Sequence, residues 1–398
     1  YNDENSNFKP LPFTFDRSTG ATVVNKDGLI EKVGIDEPRI DFLNNTKGHL
    51  LLEPERRNVV SYSEKADEWG RNNSQLPTLD TSINNPYGVA GAYTSSGNGT
   101  ANFPQYALGT ISPTSSGTAT ASVFFKQFEA PYVYILIDGT NINNTGNTNS
   151  LYKFTFATED LAKSTGADAV STSVQDYGNG WYRIVLSYIY DGTANFYFRI
   201  RNYQGATEKA EIGTSKTYAW GGQLEAGSYA TSYIPTQGET NGVTRSGELD
   251  FEREDMVDLN LYSSEMTWFY DINLFYREAG TTVAPRLINT SNGQVFIGVN
   301  TPQSTNTDLR IRHKNGTTAL NTSAVTFTNG GRFKVAVKIT GTTGTAYING
   351  TNVGTFTTLA ASNYDKYENT QNNSNNINDM RFYNTALSDS ELATLTTL

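Results

Sequence analysis

The stretch WGGQLEAGSYATSYIPTQGE, Trp220 to Glu239, decides where one β-domain of this chain ends. It contains two acids but no His, Cys, Lys or Arg, so it offers few groups for catalysis. Its first half completes a strand-like run, KTYAWGGQLEAG, in which Gly221 and Gly222 allow a bulge or the close approach of another backbone. We expect this run to be the last strand of a β-sandwich.

The second half of the stretch, SYATSYIPT, predicts a seal over that domain. Tyr229, Tyr233 and Ile234 supply apolar surface, and Pro235 stops strand pairing because it has no N–H to donate. The stretch therefore predicts a domain boundary near residue 238.

Strand-like runs recur on both sides of this boundary. Upstream, TASVFFKQ, YVYILIDG, WYRIVLSYIY and ANFYFRIRNY alternate with Gly and Asn turns, which predicts a jelly-roll β-sandwich over residues 61–238. Downstream, four Asn-Gly pairs after Val243 suit tight hairpin turns and predict a second sandwich over 239–398. Residues 1–60 predict an N-terminal β-hairpin segment. Near the C terminus, Ser388 and Glu391 have the spacing of a helix capping box.

The composition favours an all-β protein and excludes several function classes. The 398 residues include 24 Tyr and 20 Phe, and aromatic residues are common in strands. A net charge of −10 argues against nucleic-acid binding, and no apolar run reaches the roughly 20 residues of a membrane span. Without Cys there are no disulfides or thiolate metal sites. The start at Tyr1, without Met, indicates a processed product or a fragment.

Four stretches together resemble modules of bacteriophage tail and head fibre proteins. The stretches are DGLIEKVGIDEPRIDF…GHLLLEPERRNVVSYSE…EWGRNN from Asp27 to Asn73, QLEAGSYATSYIPT with VTRSGE from Gln223 to Glu248, LYSSEMTWFYDI from Leu261 to Ile272, and AYINGTNVGT…MRFYNTALSDSELATL from Ala346 to Leu395. They cover nearly the whole chain in the order found in that family. The resemblance implies an N-terminal β segment, then a carbohydrate-binding-module-like jelly roll, then a concanavalin A-like sandwich of the laminin-G type.

The resemblance also implies a function. We expect a non-enzymatic virion surface protein, outside the cell, that binds host-surface polysaccharide for attachment and contacts other virion proteins. We expect a homo-oligomer, with a trimer favoured, and no cofactor other than structural calcium. A purely structural decoration or spacer, with no ligand of its own, is an alternative.

A glycan hydrolase is the other alternative. In GELDFERED the acids Glu248, Asp250 and Glu252 alternate, so a strand would place them on one face. This pattern resembles the catalytic strand of laminarinase- and agarase-like hydrolases, in which the first Glu is the nucleophile and the last is the acid/base. Its place at the start of the second sandwich favours a solvated, acidic edge strand instead. The mixed-charge run EPERR, from Glu53 to Arg57, is interpreted as a salt-bridged corner.

Glycan binding needs exposed aromatic rings beside polar or charged side chains. In FYFRIR the residues Arg199 and Arg201 alternate with Phe198 and Ile200, which predicts one basic face and one apolar face. The candidate glycan-binding residues are Tyr132, Tyr134, Tyr188, Tyr190, Arg199, Arg201 and Tyr203, and Tyr197 is a further candidate ring. The four Trp residues are interpreted as core.

A possible calcium site and the two histidines complete the set of candidate site residues. In IDGTNINN the oxygens of Asp138, Asn141 and Asn143 are candidate calcium ligands, although the spacing differs from that of an EF-hand. The only two histidines, His49 and His313, are interpreted as surface or turn residues rather than catalysts.

Overall fold

The computed structural model describes residues 14–99, 105–112, 115–201, 214–248, 250–253, 264–275, 284–289, 295–300, 308–315, 318–328, 330–360, 364, 366–369 and 375–398. The chain divides into two compact units. The middle unit consists of Ala21–Lys32 and Arg56–Arg245. The terminal unit consists of the described residues of Tyr1–Gly20, Val33–Glu55 and Ser246–Leu398.

Almost all regular structure in the described residues is strand. The strands up to residue 201 are β1 (Thr14–Asp16), β2 (Ala21–Val24), β3 (Ile30–Val33), β4 (Ile40–Asp41), β5 (His49–Leu52), β6 (Arg56–Asn58), β7 (Gly70–Asn72), β8 (Thr78–Asn84), β9 (Ala90–Ser95), β10 (Gln105–Ile111), β11 (Gly117–Gln127), β12 (Tyr132–Ile142), β13 (Asn147–Thr155), β14 (Asp160–Gly166), β15 (Ser171–Asp176), β16 (Trp181–Tyr190) and β17 (Phe196–Arg201). The later strands are β18 (Thr217–Ala226), β19 (Val243–Arg245), β20 (Asp250–Arg253), β21 (Glu265–Leu274), β22 (Ala284–Asn289), β23 (Val295–Asn300), β24 (Asp308–Asn315), β25 (Thr318–Asn321), β26 (Val325–Thr326), β27 (Arg332–Thr340), β28 (Thr343–Ile348), β29 (Thr351–Thr357), β30 (Lys366–Asn369) and β31 (Asn375–Tyr383). A 3₁₀ turn spans Ala66–Glu68, and the α-helix α1 spans Asp389–Thr396. Within the described part of the chain, no helix has the length and apolar character needed to cross a membrane.

The middle unit is a sandwich of two six-stranded antiparallel sheets. One sheet has the order β14-β13-β12-β17-β10-β7 and the other β15-β16-β11-β18-β9-β8. Val133 and Phe198 from the first sheet share one core with Phe125 and Leu186 from the second. Alternate residues of each strand point into this core, because successive side chains of a strand point to opposite faces. The prediction of an all-β fold built from sandwiches is confirmed for this unit.

The second sheet is also covered on its other face. Phe124, Tyr177, Trp220 and Tyr233 form an aromatic cluster there, with ring centroids 4.7 to 5.8 Å apart in the contacting pairs. The hairpin β2–β3 belongs to the same unit, and its Thr22 hydroxyl donates to the Tyr233 carbonyl oxygen at 2.5 Å. The N-terminal segment expected over 1–60 is therefore divided between the units, since the apolar side of this hairpin is buried within the middle unit.

The closure predicted for the stretch from Trp220 to Glu239 is confirmed. Asn58 joins its two halves: the side-chain amide donates to the carbonyl oxygens of Gly222 and Ile234, at 3.1 and 2.9 Å. Gly221 has a φ of +65°, and the pairing of β11 with β18 shifts register beside it. The middle unit continues beyond residue 238 to Arg245, because β19 pairs with β6.

The terminal unit is a second sandwich. One sheet has the order β1-β20-β30-β22-β23-β24-β25, with β26 paired to β24, and the other has the order β29-β28-β27-β21-β31-β5-β4. Trp268 and Ile272 of β21 share a core with Leu287 of β22 and Ile311 of β24. Together with Trp69, Trp181 and Trp220 in the middle unit, Trp268 is buried, so the interpretation of all four Trp residues as core is confirmed.

The C-terminal helix covers the outside of the second sheet of the terminal unit. Ser388 caps it, and Glu391 completes the predicted capping box by accepting from the Ser388 backbone N–H at 2.8 Å. Leu392 then packs against Phe269, Ala336 and Tyr347. The helix α1 is therefore held in place both by its cap and by burial of one face.

Both histidines are buried, so the prediction that they lie at the surface or in turns is wrong. His49 is in β5, and His313 in β24 stacks on Phe356 with ring centroids 4.2 Å apart. Burial lowers the pKa of His49 from 6.5 to about 4, and the nearby charge of Glu53 offsets this only in part. The Asp41 carboxylate lies 3.8 Å from the His49 imidazole, too far for a hydrogen bond.

This burial predicts a pH-dependent stability of the terminal unit. Because the folded state holds His49 neutral, the unfolded state binds more protons between pH 6.5 and about 4. Stability is expected to fall by about 3 kcal/mol as the pH drops through that window, and to level off below it. Urea unfolding of the wild type and of His49→Gln at several pH values tests this. A variant with the same slope as the wild type would contradict it.

Candidate functional site

The first sheet of the middle unit has an outer face, the side turned away from the sandwich core. On β12, Val133, Ile135 and Ile137 point into the core. The intervening residues Tyr132, Tyr134, Leu136 and Asp138 therefore lie on the outer face. On the neighbouring strand β17 the burial pattern alternates in the same way, with Phe196, Phe198 and Ile200 buried and Tyr197, Arg199 and Arg201 half-buried.

Strand pairing brings the charged residues of this face together. Arg201 lies opposite Tyr134, Arg199 opposite Leu136, and Tyr197 opposite Asp138. On the other side of β12, Lys153 of β13 also lies opposite Tyr134. The predicted basic face of FYFRIR is thus an outer sheet face, and the structure adds a carboxylate and a lysine to it.

A pocket of ≈540 Å³ opens at one end of this face. We call it the Asp138 pocket; its lining residues are Asp138, Gly139, Thr140, Thr148, Ala194, Asn195, Tyr197 and Arg199. It lies between the end of β12 and the turn that leads into β17. Aromatic, hydroxyl, amide and charged groups therefore converge on one concave surface.

An ion pair orients the groups in the pocket. The Arg199 guanidinium donates to the Asp138 carboxylate and lies over the Tyr197 ring, 4.9 Å from its centroid. The Asn195 amide donates to the Tyr197 hydroxyl at 3.2 Å. Burial raises the pKa of the Asp138 carboxyl, while Arg199 and Arg201 act in the opposite direction. The Arg199 side chain is therefore held in a fixed orientation in a partly desolvated setting.

Two of the predicted glycan-binding tyrosines cannot reach a ligand. Tyr188 is fully buried in the sandwich core, where its hydroxyl bonds to that of Ser150 at 2.9 Å. Tyr134 is also fully buried, in a small cluster with Leu136 and Leu151. Their assignment to a glycan site is wrong, because a sugar can stack only on an exposed ring.

The remaining predicted tyrosines have different positions. Tyr132 is half-buried on the outer face, with the Lys153 ammonium 4.9 Å from its ring centroid. Tyr190 is half-buried and packs against Phe196, with ring centroids 6.0 Å apart. Tyr203 lies outside the described residues. Tyr197, a further candidate ring, is half-buried on the outer face, because the alternation that places Arg199 there places Tyr197 there too.

The candidate calcium ligands each have protein partners. Asp138 is paired with Arg199, and the Asn141 side-chain oxygen accepts from the Gly146 N–H at 2.8 Å. The Asn143 side-chain oxygen accepts from the Ile189 N–H at 2.7 Å. Asn141 and Asn143 both have positive φ, so they serve the turn after β12. In the described part of the chain, no group of three or more His, Cys, Asp or Glu is arranged to hold a metal ion.

Glu248, the first acid of GELDFERED, lies outside the strand that carries Asp250 and Glu252. Glu248 precedes β20 and is buried, so the expectation of a solvated acid is wrong. Its carboxylate accepts from Arg39 Nε and Nη2, at 2.6 and 2.7 Å, and from Arg17 Nη1 at 3.2 Å. Strand β20, which carries Asp250 and Glu252, lies between β1 and β30 rather than at a sheet edge. These contacts give Glu248 a structural role.

The salt-bridged corner predicted for EPERR is confirmed. Glu53 accepts from Arg39 Nη1 at 2.8 Å within the terminal unit. Arg56 lies 3.9 Å from the Glu225 carboxylate within the middle unit. Glu53 and Arg56 are thus buried beside opposite charges, whereas Glu55 and Arg57 of the same run are exposed.

No family model matches the sequence, and no curated protein matches it. Among solved structures, the chain is similar to a Trypanosoma rangeli sialidase, with 11% identity over 81% of this chain and 62% of that one, and a TM-score of 0.29. It is similar to the heptameric SAP-like pentraxin of Limulus polyphemus, with 14% identity over 33% and 69%, and a TM-score of 0.28. It is also similar to the binding domain of botulinum neurotoxin DC, with 16% identity over 40% of each chain, and a TM-score of 0.28.

These likenesses assign neither a family nor a function, because their identities and TM-scores are low. The chain spans less than two thirds of the sialidase and of the toxin domain. The prediction that the chain is not an enzyme is corrected to this extent: a sialidase, which is a glycoside hydrolase, is among the similar structures, so the comparisons do not support that prediction.

Proposed function

We propose that this chain binds glycans through the Asp138 pocket. The observation that carries the proposal is the Asp138–Arg199 pair beside the Tyr197 ring, on the wall of a ≈540 Å³ pocket. Ligand sites typically combine an apolar or aromatic wall with a few converging polar groups. A sugar matches both features, because its C–H face packs on an aromatic ring while its oxygens accept charge-assisted hydrogen bonds.

Each pocket residue has a distinct part in this proposal. Tyr197 supplies the ring, and Arg199 supplies planar donors whose direction Asp138 restricts. Thr140 and Asn195 add a hydroxyl and an amide on the pocket wall. Donors that are oriented before the ligand arrives lose less entropy on binding, so a shallow site of this kind can still be selective.

We also propose the biological setting that the sequence resemblance implies. In that setting the chain is a virion surface protein of a tail or head fibre, outside the cell, and its ligand is a host-surface polysaccharide. Other virion proteins hold it in place, and a homo-oligomer, with a trimer favoured, presents several pockets at once. Linked copies raise the overall affinity of weak single sites without new contacts.

Tyr197→Ala is expected to weaken glycan binding about fivefold, because the sugar loses its stacking surface, worth about 1 kcal/mol. The measurement is saturation binding of the full chain on a glycan array, followed by titration of the best ligand. The matched control is Phe128→Ala, which removes an aromatic ring that is 46% exposed and stacks on Tyr218, on the other sheet of the middle unit.

Equal losses in the two variants, or no saturable binding of any glycan by the wild type, would overturn the proposal. The absence of saturable glycan binding, combined with tight binding to another virion protein, would support the spacer alternative. Reducing ends are counted in the same samples, so that any sugar release is recorded alongside binding.

A further inference from the structure

The outer face of the first sheet differs in charge from the chain as a whole. The chain has a net charge of −10, yet the outward positions of β13 and β17 carry Lys153, Arg199 and Arg201. Among the described residues, Asp138 at one end of this face and Asp160, on the edge strand β14 opposite Thr155, are carboxylates at its outward positions, and the Asp191 carboxylate lies 3.5 Å from the Thr140 hydroxyl beside the pocket. A local excess of positive charge on an acidic protein attracts anions to this face.

Strand geometry spreads these cations over an extended surface. Lys153 and Arg201 both lie opposite Tyr134, on the two sides of β12, so their backbones are about 10 Å apart. Arg199 lies two residues along β17 from Arg201, about 7 Å away along the strand. A ligand with several negative charges can therefore meet more than one cation, whereas a single small anion cannot.

Arg199 is already paired with a carboxylate inside the pocket. A guanidinium can bind a carboxylate through parallel N–H donors, and Asp138 Oδ2 accepts one hydrogen bond of this kind, from Arg199 Nη1. The charged groups that act on Asp138 are Arg199 and Arg201 from β17, and β13 places the neutral Asn149 opposite it. Burial raises the pKa of Asp138, so its carboxylate is a costlier partner for Arg199 than a solvated carboxylate would be, and an incoming carboxylate can replace it.

We infer that the Asp138 pocket takes an anionic glycan, and that a carboxylate of the sugar binds Arg199 in competition with Asp138. This inference rests on the proposed function and narrows its ligand class. Arg201 and Lys153 extend the cationic surface along the same face, so a chain of acidic sugars is bound better than one acidic sugar. No bond is made or broken in this step.

The test uses two pairs of polymers, and the members of each pair share a backbone but differ in charge. Binding of the full chain is measured to polygalacturonate, to its methyl ester, to dextran and to dextran sulfate. We expect polygalacturonate to bind at least tenfold more tightly than its methyl ester. Equal binding of the acid and the ester would overturn the inference but leave the proposed function standing. No binding to any of these polymers, or to any glycan on the array, would overturn both.

Asp138→Asn gives the most discriminating result, because an anionic glycan and a neutral glycan predict opposite changes in binding affinity. For an anionic glycan the variant removes a competing carboxylate, so polygalacturonate binding is expected to tighten several-fold. If the sugar were neutral and used Asp138 as an acceptor, the same variant would weaken binding, and the inference would fail. Arg199→Gln is expected to weaken polygalacturonate binding at least tenfold.

Two controls separate the site from general charge effects. Lys47→Gln removes one positive charge from an exposed position of the terminal unit and is expected to leave polygalacturonate binding unchanged. Far-ultraviolet circular dichroism and thermal unfolding confirm that each variant is folded. Equal losses in Lys47→Gln and Arg199→Gln, with dextran sulfate bound as tightly as polygalacturonate, would indicate simple ion exchange and contradict the inference.

Discussion

Replacing Glu248 with Gln is expected to lower the free energy of unfolding of the terminal unit by about 3 to 5 kcal/mol. Glu248 and Glu53 are the carboxylates of a buried network whose cations are Arg17 and Arg39. The Glu248 carboxylate also accepts from the Glu53 backbone N–H at 2.7 Å. An amide has only one acceptor atom and no charge. The two buried guanidinium groups would therefore lose part of the negative charge and of the hydrogen bonds that compensate for their burial.

The measurement is urea unfolding of the full chain, monitored by a signal from the terminal unit. Asp16→Asn is the matched control, because it also neutralises a carboxylate in this unit but at an exposed position. It is expected to change the free energy of unfolding by less than about 0.5 kcal/mol. A loss below about 1 kcal/mol in Glu248→Gln would show that the buried network is not needed for stability.

Glu225→Gln is expected to destabilise the middle unit by a similar amount, about 3 kcal/mol or more. The Glu225 carboxylate is fully buried and accepts from Gln223 Nε2 at 2.8 Å and from the Thr231 N–H at 2.9 Å. Its other oxygen accepts from the Thr231 hydroxyl at 2.7 Å and lies 3.9 Å from Arg56. The NH₂ group of a Gln side chain is a donor, and it would face the surrounding N–H and O–H groups, which are also donors.

Thermal and urea unfolding of the middle unit measure this effect. The matched control is Glu239→Gln, which makes the same change at an exposed position of the same stretch. If both variants lost equal stability, the effect would come from total charge rather than from the buried contacts. If Glu225→Gln left stability unchanged, the closure would depend on the Asn58 hydrogen bonds and the apolar packing of Tyr233 and Ile234 instead.

The alternation of side chains along a strand predicts part of the candidate site. In FYFRIR, alternation placed Arg199 and Arg201 on one face, and the burial of β17 follows this pattern. The same pattern placed Tyr197, a candidate ring, on the face of these arginines. Asp138 was selected as a calcium ligand rather than as the partner of Arg199, since the two residues are 61 positions apart and only the pairing of β12 with β17 brings them together.

The buried tyrosines mark a limit of the same reasoning. Alternation places a side chain on one of two faces, but it does not say what covers that face. Tyr134 lies on the outer face and is nevertheless fully buried, whereas Tyr188 lies in the core, and both had been grouped with exposed rings. Burial depends on neighbours that are distant in sequence, so composition and period cannot separate these cases.

The sequence by itself determined the all-β class, the strand runs, the helix cap at Ser388 and the role of the stretch from Trp220 to Glu239. Each of these depends on interactions between residues that are near in the chain: alternation, turn chemistry, capping and the missing N–H of Pro235. Only the tertiary structure decided where charges are buried. Arg17 and Glu248 are 231 residues apart, and each alone would be expected in solvent. Their burial is favourable only once folding places them in contact, because a charge leaves water at low cost only beside its partner.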